Sequence, residues 1–308
     1  MSAARTSEDI RDVNTRYHDA AADEYDTKWG INFGPTGQTQ VLGKLRKALG
    51  REELGHFPRI LEIGAGTGYF SLNMLQAGVA RQAVCTDISP GMLATLRANA
   101  RELDLDGRVE TVRTDAEELP LTSSSFDLVL GHAVLHHIPD LAKAFTEFSR
   151  VLRPGGLLAF AGEPSSLGDR IARVPKRGAF RAAPLWRRAI GAQARVYETN
   201  GHAEGPGDHG LEFAVDVHAF APRDLQSVAE AADFENVRVG GEELLANWFG
   251  WTNRVLESTA EPADVPWLWR QYAHKGYLAL QEVDRHLLER RLPPAMFYNL
   301  LVSARKPD

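Results

Sequence analysis

A single cysteine occurs in 308 residues, which excludes an internal disulfide and any zinc site built from several thiolates. No apolar run approaches the roughly 18 to 20 residues needed to cross a bilayer. The opening MSAARTSEDI has no apolar stretch of the kind a secretory leader carries, so a cytoplasmic protein with no membrane span is expected. Basic charge is in deficit: 35 Lys and Arg stand against 41 Asp and Glu, a net charge of −6. That balance argues against a protein that holds nucleic acid on a broad basic surface. No nucleic-acid partner is expected, although a local basic patch stays open. With 44% hydrophobic and 25% charged residues, the chain is neither disordered nor fibrous. No internal repeat is visible, and the length suits either two small domains or one domain with insertions. Oligomeric state is not legible.

Ile10, Val13, Tyr17 and the pair Ala20 and Ala21 recur at helical spacing, predicting an amphipathic helix that ends before the turn-rich WGINFGPTG. A second helix is expected from Pro35 to Leu49, with Val41, Leu42, Leu45 and Leu49 on one face and Gly50 as its stop. From Arg59 to Phe160 the texture changes to short apolar runs, RILEIG, QAVCTD, VETVRTD, FDLVLG and LLAFAG, separated by helical stretches. Such alternation predicts an α/β fold with a parallel sheet whose strands bind ligands at their carboxyl ends. Cys85, inside the second run, reads as core. Later, PRDLQSVAEAADF predicts a helix, ENVRVGG a strand and MFYNLLVSARK a final strand. Two interruptions, about 163–220 and 241–294, are too long for plain loops and are expected to be caps. The second should contain a helix opened by Pro266, with Tyr272, Gly276, Leu280, Val283 and Leu287 on one stripe.

The most informative segment is ILEIGAGTGYF, where an apolar strand runs into Gly64, Gly66 and Gly68. Glycines let backbone turn tightly and approach a ligand closely. The dinucleotide fingerprint G-x-G-x-x-G would need glycine where Tyr69 stands. The spacing instead resembles the E/D-x-G-x-G-x-G loop of class I S-adenosylmethionine-dependent methyltransferases, here Glu62, Gly64, Gly66 and Gly68. Asp87 ends the next strand, where a carboxylate can accept both ribose hydroxyl hydrogen bonds, as in the family's second motif. Asp115, in RTDAEELP, corresponds to the acidic residue that meets the adenine amino group in that family. The stretch SFDLVLGHAVLHHIPDLAKAFTEFSRVLRPGGLLAF is similar to the fourth and fifth motifs of the ubiquinone/menaquinone-biosynthesis-like, small-molecule branch. Each piece alone has a structural explanation, a tight turn or a helix cap; their order is what carries the resemblance.

The resemblance implies a Rossmann-like fold: a mostly parallel seven-stranded sheet with an antiparallel last strand, plus helical cap insertions. Residues 1–50 would form an N-terminal helical lid and 51–308 the methyltransferase domain carrying both insertions. The implied cofactor is S-adenosyl-L-methionine. The loop from Glu62 through Gly64, Ala65, Gly66 and Gly68 would hold its methionine moiety, Asp87 the ribose, and Asp115 with Ala116 the adenine end. Ile88 and Met92 would pack on the nucleoside, with His132 beside the cofactor. Tyr17 and Tyr25 would either close over the cofactor or staple the first helix to the sheet.

A sulfonium methyl already carries a good leaving group, so transfer depends mainly on positioning an in-line nucleophile. For a hydroxyl, phenol or carbon acid, a general base would add roughly 10²- to 10⁴-fold. The candidates are His132, His136 and His137 after the fourth strand and Glu163 after the fifth, with His136 favoured; pocket wall, backbone hydrogen bonding and a structural ion pair are the alternative roles. From Asp169 to Arg195 the first insertion concentrates Arg170, Arg173, Lys176, Arg177, Arg181, Arg187, Arg188 and Arg195, either an oxyanion clamp or a solvated helix face. His202, Glu204, Asp208, His209, Asp216 and His218 match no metal-site spacing, and no metal is expected. Trp248, Trp251, Trp267 and Trp269 would line an apolar acceptor pocket or pack the second cap. The expected activity is methyl transfer to a small, partly apolar metabolite, with an acidic group on it an open alternative. A protein or RNA target and a non-catalytic cofactor-binding module are the other readings.

Overall fold

A computed structural model describes residues 6–22, 26, 31–195 and 218–308. These fall into two compact units, one drawn from Met1–Glu163, Ala214–Gly240 and Leu301–Asp308, the other from Pro164–Phe213 and Gly241–Leu300. No helix among the described residues is long and apolar enough to cross a membrane.

The first unit is built on a seven-stranded sheet. Its strands are β1 (Phe57–Ile63), β2 (Ala80–Asp87), β3 (Val109–Arg113), β4 (Phe126–His132), β5 (Leu152–Pro164), β6 (Glu235–Glu242) and β7 (Asn299–Arg305), in the order β3-β2-β1-β4-β5-β7-β6. The pairs β1 with β2, β1 with β4, β2 with β3 and β4 with β5 are parallel. β7 runs the other way: Lys306 exchanges backbone hydrogen bonds with Gly155 and Gly156, while Ser165 at the opposite end of β5 donates to Tyr298. The central strands are apolar on both faces because helices cover both, which is why FDLVLG reads as a continuous apolar run. Ile60, Leu128, Leu130 and Cys85 lie in that core, and burial pushes the Cys85 thiol well above its ordinary pKa.

The helices of this unit are α1 (Ser7–Ala21), α2 (Pro35–Leu49), α3 (Tyr69–Gln76), α4 (Pro90–Glu102), α5 (Leu141–Val151) and, after the sixth helix described below, α7 (Pro222–Ala231). Local chemistry fixes their ends. Thr6 and Asp9 form a reciprocal capping box on α1. Proline opens α2 and Gly50 stops it, and Ser89 caps α4 by accepting from the Met92 amide at 3.0 Å.

The second unit contains α6 (Ser166–Ile190), α8 (Leu245–Ser258) and α9 (Trp267–Val283). α6 turns Ala179 and Ala183 onto Leu256 of α8, with Trp186 and Trp269 packed beside them. The helix expected after Pro266 is α9, but the stripe assigned to it differs from expectation. Leu287 falls beyond α9 in a π-helical turn, Asp284–Leu288, and no residue of α9 is fully buried. Gly276 lies against Phe249 of α8, whereas Tyr272 and Val283 remain exposed. Hydrophobic spacing located the helix and not its buried side, since a helix packed through glycine contacts presents no apolar ridge to its neighbour.

Candidate functional site

The carboxyl ends of the parallel strands deliver the chemistry-bearing side chains to one edge of the sheet. Gly64 follows β1, Asp87 ends β2, Asp115 follows β3, His132 ends β4 and Glu163 lies near the end of β5. There, a cleft is walled by Gly64, Gly66, Asp87, Ile88, Met92, Asp115, Ala116, His132 and His137, among others. Nine of the expected site residues thus share one cleft.

The glycine loop adopts left-handed backbone at Gly64 (φ 58°) and Gly66 (φ 51°). The two glycines serve different ends. A Cβ on Gly64 would stand 2.3 Å from Cγ2 of Val134, so that position is sterically closed, whereas a Cβ on Gly66 would meet nothing within 4 Å. Gly66 therefore opens onto the cleft. Its amide donates to Oδ2 of Asp87 at 2.9 Å, and the Ser89 amide donates to Oδ1 at 2.9 Å. Asp87 thus holds the loop while one face of its carboxylate borders the cleft. Burial pushes its pKa up against the lowering pull of the Ser89 amide and His18.

Five expected residues lie beside the cleft without lining it. Glu62 is buried with its carboxylate turned to the start of α3, where it accepts from the Ser71 amide at 2.9 Å and from the Ser71 hydroxyl. Burial raises its pKa to about 7. Ala65 and Gly68 shape the turn, the Gly68 amide donating to Ala65 at 2.8 Å. Glu163 is fully buried and accepts the amides of Val134, Leu135 and His136 as well as an imidazole contact, Nδ1 of His136, at 2.8 Å. These partners hold its pKa below the ordinary carboxylate value despite burial. The side chain folds the segment after β4 and orients one imidazole; His136 itself is buried behind His137, with ring centroids 4.0 Å apart.

Helix α1 supplies what the sequence reading missed. Arg11, Asn14 and His18 line the cleft from one face of that helix. Tyr17 does not line it and packs edge-on against His18; Tyr25 lies outside the described residues. Arg11 Nη2 binds Glu117 Oε2 at 2.6 Å, while Glu117 Oε1 accepts the Asp140 amide at 3.0 Å. At the other end of α1, Asp19 accepts the Gly91 amide at 3.0 Å and the Ser89 hydroxyl. Asn14 is 2% exposed; its Nδ2 donates to the Ile10 carbonyl, which leaves Oδ1 buried without a hydrogen-bond partner among the described residues. Arg11 Nε is buried and faces Asp115 Oδ2 in an ion pair at 3.6 Å, with no shorter hydrogen bond among the described residues. Burial pushes His18 below its ordinary pKa against the raising pull of Asp87, and its ring sits edge-on to His137 at 5.6 Å. Ala133, also in the wall, holds φ at 53° without being glycine, a backbone cost commonly found at ligand sites.

The remaining candidates lie elsewhere. His218 donates its amide to the His136 carbonyl and pairs Nε2 with the Ile138 carbonyl at 3.0 Å; His202, Glu204, Asp208, His209 and Asp216 fall outside the described residues. In the second unit, Lys176 stands 3.9 Å from the Trp251 ring centroid and 5.4 Å from that of Tyr298, so Trp251 carries a cation on its face and is not a bare apolar wall.

Residues 61–160 match the family described as Methyltransferase domain. The chain is 36% identical over 149 residues to a malonyl-[acyl-carrier protein] O-methyltransferase of Methylococcus capsulatus, covering 46% of this chain and 53% of that one. The chain thus spans about half the length of that relative. It is 31% identical over 199 residues to a demethylmenaquinone methyltransferase of Mycolicibacterium paratuberculosis, covering 64% of this chain and 79% of that one. Among solved structures, a phosphoethanolamine N-methyltransferase 2 of Haemonchus contortus superposes with a TM-score of 0.60 at 17% identity, over 99% of this chain and 61% of that one; this likeness shows the fold. With the strand order, the glycine loop and these matches in agreement, the chain belongs to the class I S-adenosylmethionine-dependent methyltransferase family.

Proposed function

We propose that the cleft at the sheet edge binds S-adenosylmethionine and that the protein transfers its methyl group to a small, partly apolar acceptor. The observation that carries this reading is the open space in front of Gly66, bounded by Asp87 and by the buried, unpartnered Asn14 Oδ1. A cradle that a Cβ would enter, with an acceptor in its wall unsatisfied among the described residues, fits a polar nucleoside ligand. The glycine loop would take the methionine moiety, Asp87 the ribose hydroxyls, Asp115 and Ala116 the adenine edge, and Ile88 with Met92 the flat faces of the nucleoside.

When bound, that ligand supplies an activated methyl, so the protein's own contribution is to position and to exclude water. His137 lines the cleft and is the group best placed to hold an acceptor proton. His136, oriented by Glu163, backs it, and we assign Glu163 a positioning role. The acidic end proposed for the acceptor, and a role for the two insertions in selecting it, rest on the sequence alone. Calorimetric titration with S-adenosylhomocysteine tests the binding half of this reading; a methyl-transfer assay across small phenols, carboxylic acids and quinols tests the other. Retention of RNA in a salt-sensitive manner would favour a nucleic-acid target instead.

A further inference from the structure

We propose that the outer face of α6 is a docking surface for an anionic lipid bilayer. Helix α6 places its residues in an order opposite to that of an ordinary surface helix. Its small residues turn inward, with Ala172, Ala179 and Ala183 buried, while three of its large apolar residues turn outward: Val174 is 72%, Phe180 62% and Leu185 74% exposed. In the same unit Trp267 is 68% and Leu268 74% exposed at the start of α9. Large apolar side chains concentrated on one exposed face mark an interaction surface.

The charge on that helix selects the partner. The whole chain is net negative, yet α6 carries Arg170, Arg173, Lys176, Arg177, Arg181, Arg187 and Arg188 against one acid, Asp169. Asp169 is taken by Arg173, and Lys176 is stacked on Trp251. Arg170, Arg177, Arg181 and Arg188 interleave with Val174, Phe180 and Leu185 on the exposed side. Arginine beside aromatic and aliphatic side chains on one helix face is the arrangement that settles into an anionic interface, with guanidinium groups at the phosphates and apolar side chains below them. The exposed side of a helical rod is convex and its apolar residues protrude singly. Such a ridge suits a deformable lipid interior; a folded acidic protein would need a matching groove.

The test is co-sedimentation of the full chain with vesicles of phosphatidylglycerol and phosphatidylcholine, against vesicles of phosphatidylcholine alone. The expected result is binding to the anionic vesicles only, weakened by raised salt. Each arginine removed should reduce the partition coefficient roughly fivefold, so the double variant R177E/R181E should abolish binding. The variant F180S/L185S should reduce binding while leaving its salt dependence, since the phosphate contacts remain. S-adenosylhomocysteine affinity, measured in parallel, reports that each variant is folded. Equal partition into both vesicle types, no partition into either, or charge-reversal variants that bind as wild type would overturn the proposal. So would salt-sensitive binding to an acidic protein without any to vesicles.

Discussion

Arg11 and Glu117, distant in sequence, meet with Nη2 2.6 Å from Oε2, and this pair fastens the middle of α1 to the segment after β3. Glu117 is nearly buried in the pair and Arg11 about one-third exposed. Removing either partner should therefore release the helix locally without unfolding the sheet. Hydrogen exchange at the α1 amides should speed up to a similar degree in R11A and E117A. The double variant should add little to R11A, since both changes break the shared pair and R11A also removes the 3.6 Å ion pair to Asp115. Additive effects would show that α1 is held independently of this pair.

Asn14 offers a cleaner distinction between packing and ligand reading. Its Oδ1 is buried without a partner among the described residues, so Asn14→Leu, of similar volume, removes an unsatisfied acceptor and should leave the melting temperature of the ligand-free protein unchanged or raised. The same variant should bind S-adenosylhomocysteine more weakly by on the order of 1 kcal/mol, about fivefold. Adenosine alone should show the same loss if the contact is to the nucleoside. Unchanged affinity would place Asn14 among packing residues.

Glu62 gives a pH prediction. Its pKa in the fold, about 7, lies above the ordinary value of 4.5 because burial disfavours the charged form. The folded state therefore binds the proton more tightly than the unfolded state. The associated stability is complete below pH 4.5 and is lost as pH rises through about 7. Glu62→Gln keeps an acceptor for Ser71 and removes the titration. Between pH 5 and 8 the variant should gain stability relative to wild type by on the order of 3 kcal/mol, read by denaturant unfolding. Parallel stability profiles would contradict the assignment.

The pair His136 and Glu163 separates positioning from proton holding. Once an acceptor is known, His137→Asn should lower kcat by roughly 10²-fold or more if it holds the acceptor proton, with S-adenosylhomocysteine affinity little changed. Glu163→Gln places an amide where three backbone N–H groups donate, so it should cost stability by about 1 to 3 kcal/mol. It should also shift the pH–rate profile through the imidazole it orients. A stability loss with an unmoved pH profile would leave Glu163 structural only.

Much of this site was legible because parallel α/β chains write it in a fixed order. Each apolar run ends at the sheet edge, so Gly66, Asp87, Asp115 and His132 could be placed from strand ends alone. Helix α1 was legible as a helix but not in orientation. Its apolar stripe, Ile10, Val13 and Tyr17, left open whether Tyr17 closes over the cofactor or staples the helix to the sheet, while the polar face, Arg11, Asn14 and His18, is the one that lines the cleft. Periodicity finds a face and cannot say that the target wall is itself polar. Glu62 and Glu163 were legible as motif acids; their engagement with backbone amides depends on loop conformations that no local pattern encodes.

The most direct measurement is calorimetric titration of S-adenosylhomocysteine into the wild type, Gly66→Val and Asp87→Ala, each shown to be folded by its melting curve. The wild type should bind. Gly66→Val should lose binding, because its side chain enters the space left open beside the loop. Asp87→Ala should lose on the order of 1.5 to 3 kcal/mol of binding free energy. Absence of binding to the wild type, or affinities in both folded variants indistinguishable from it, would contradict the assignment of this cleft to S-adenosylmethionine.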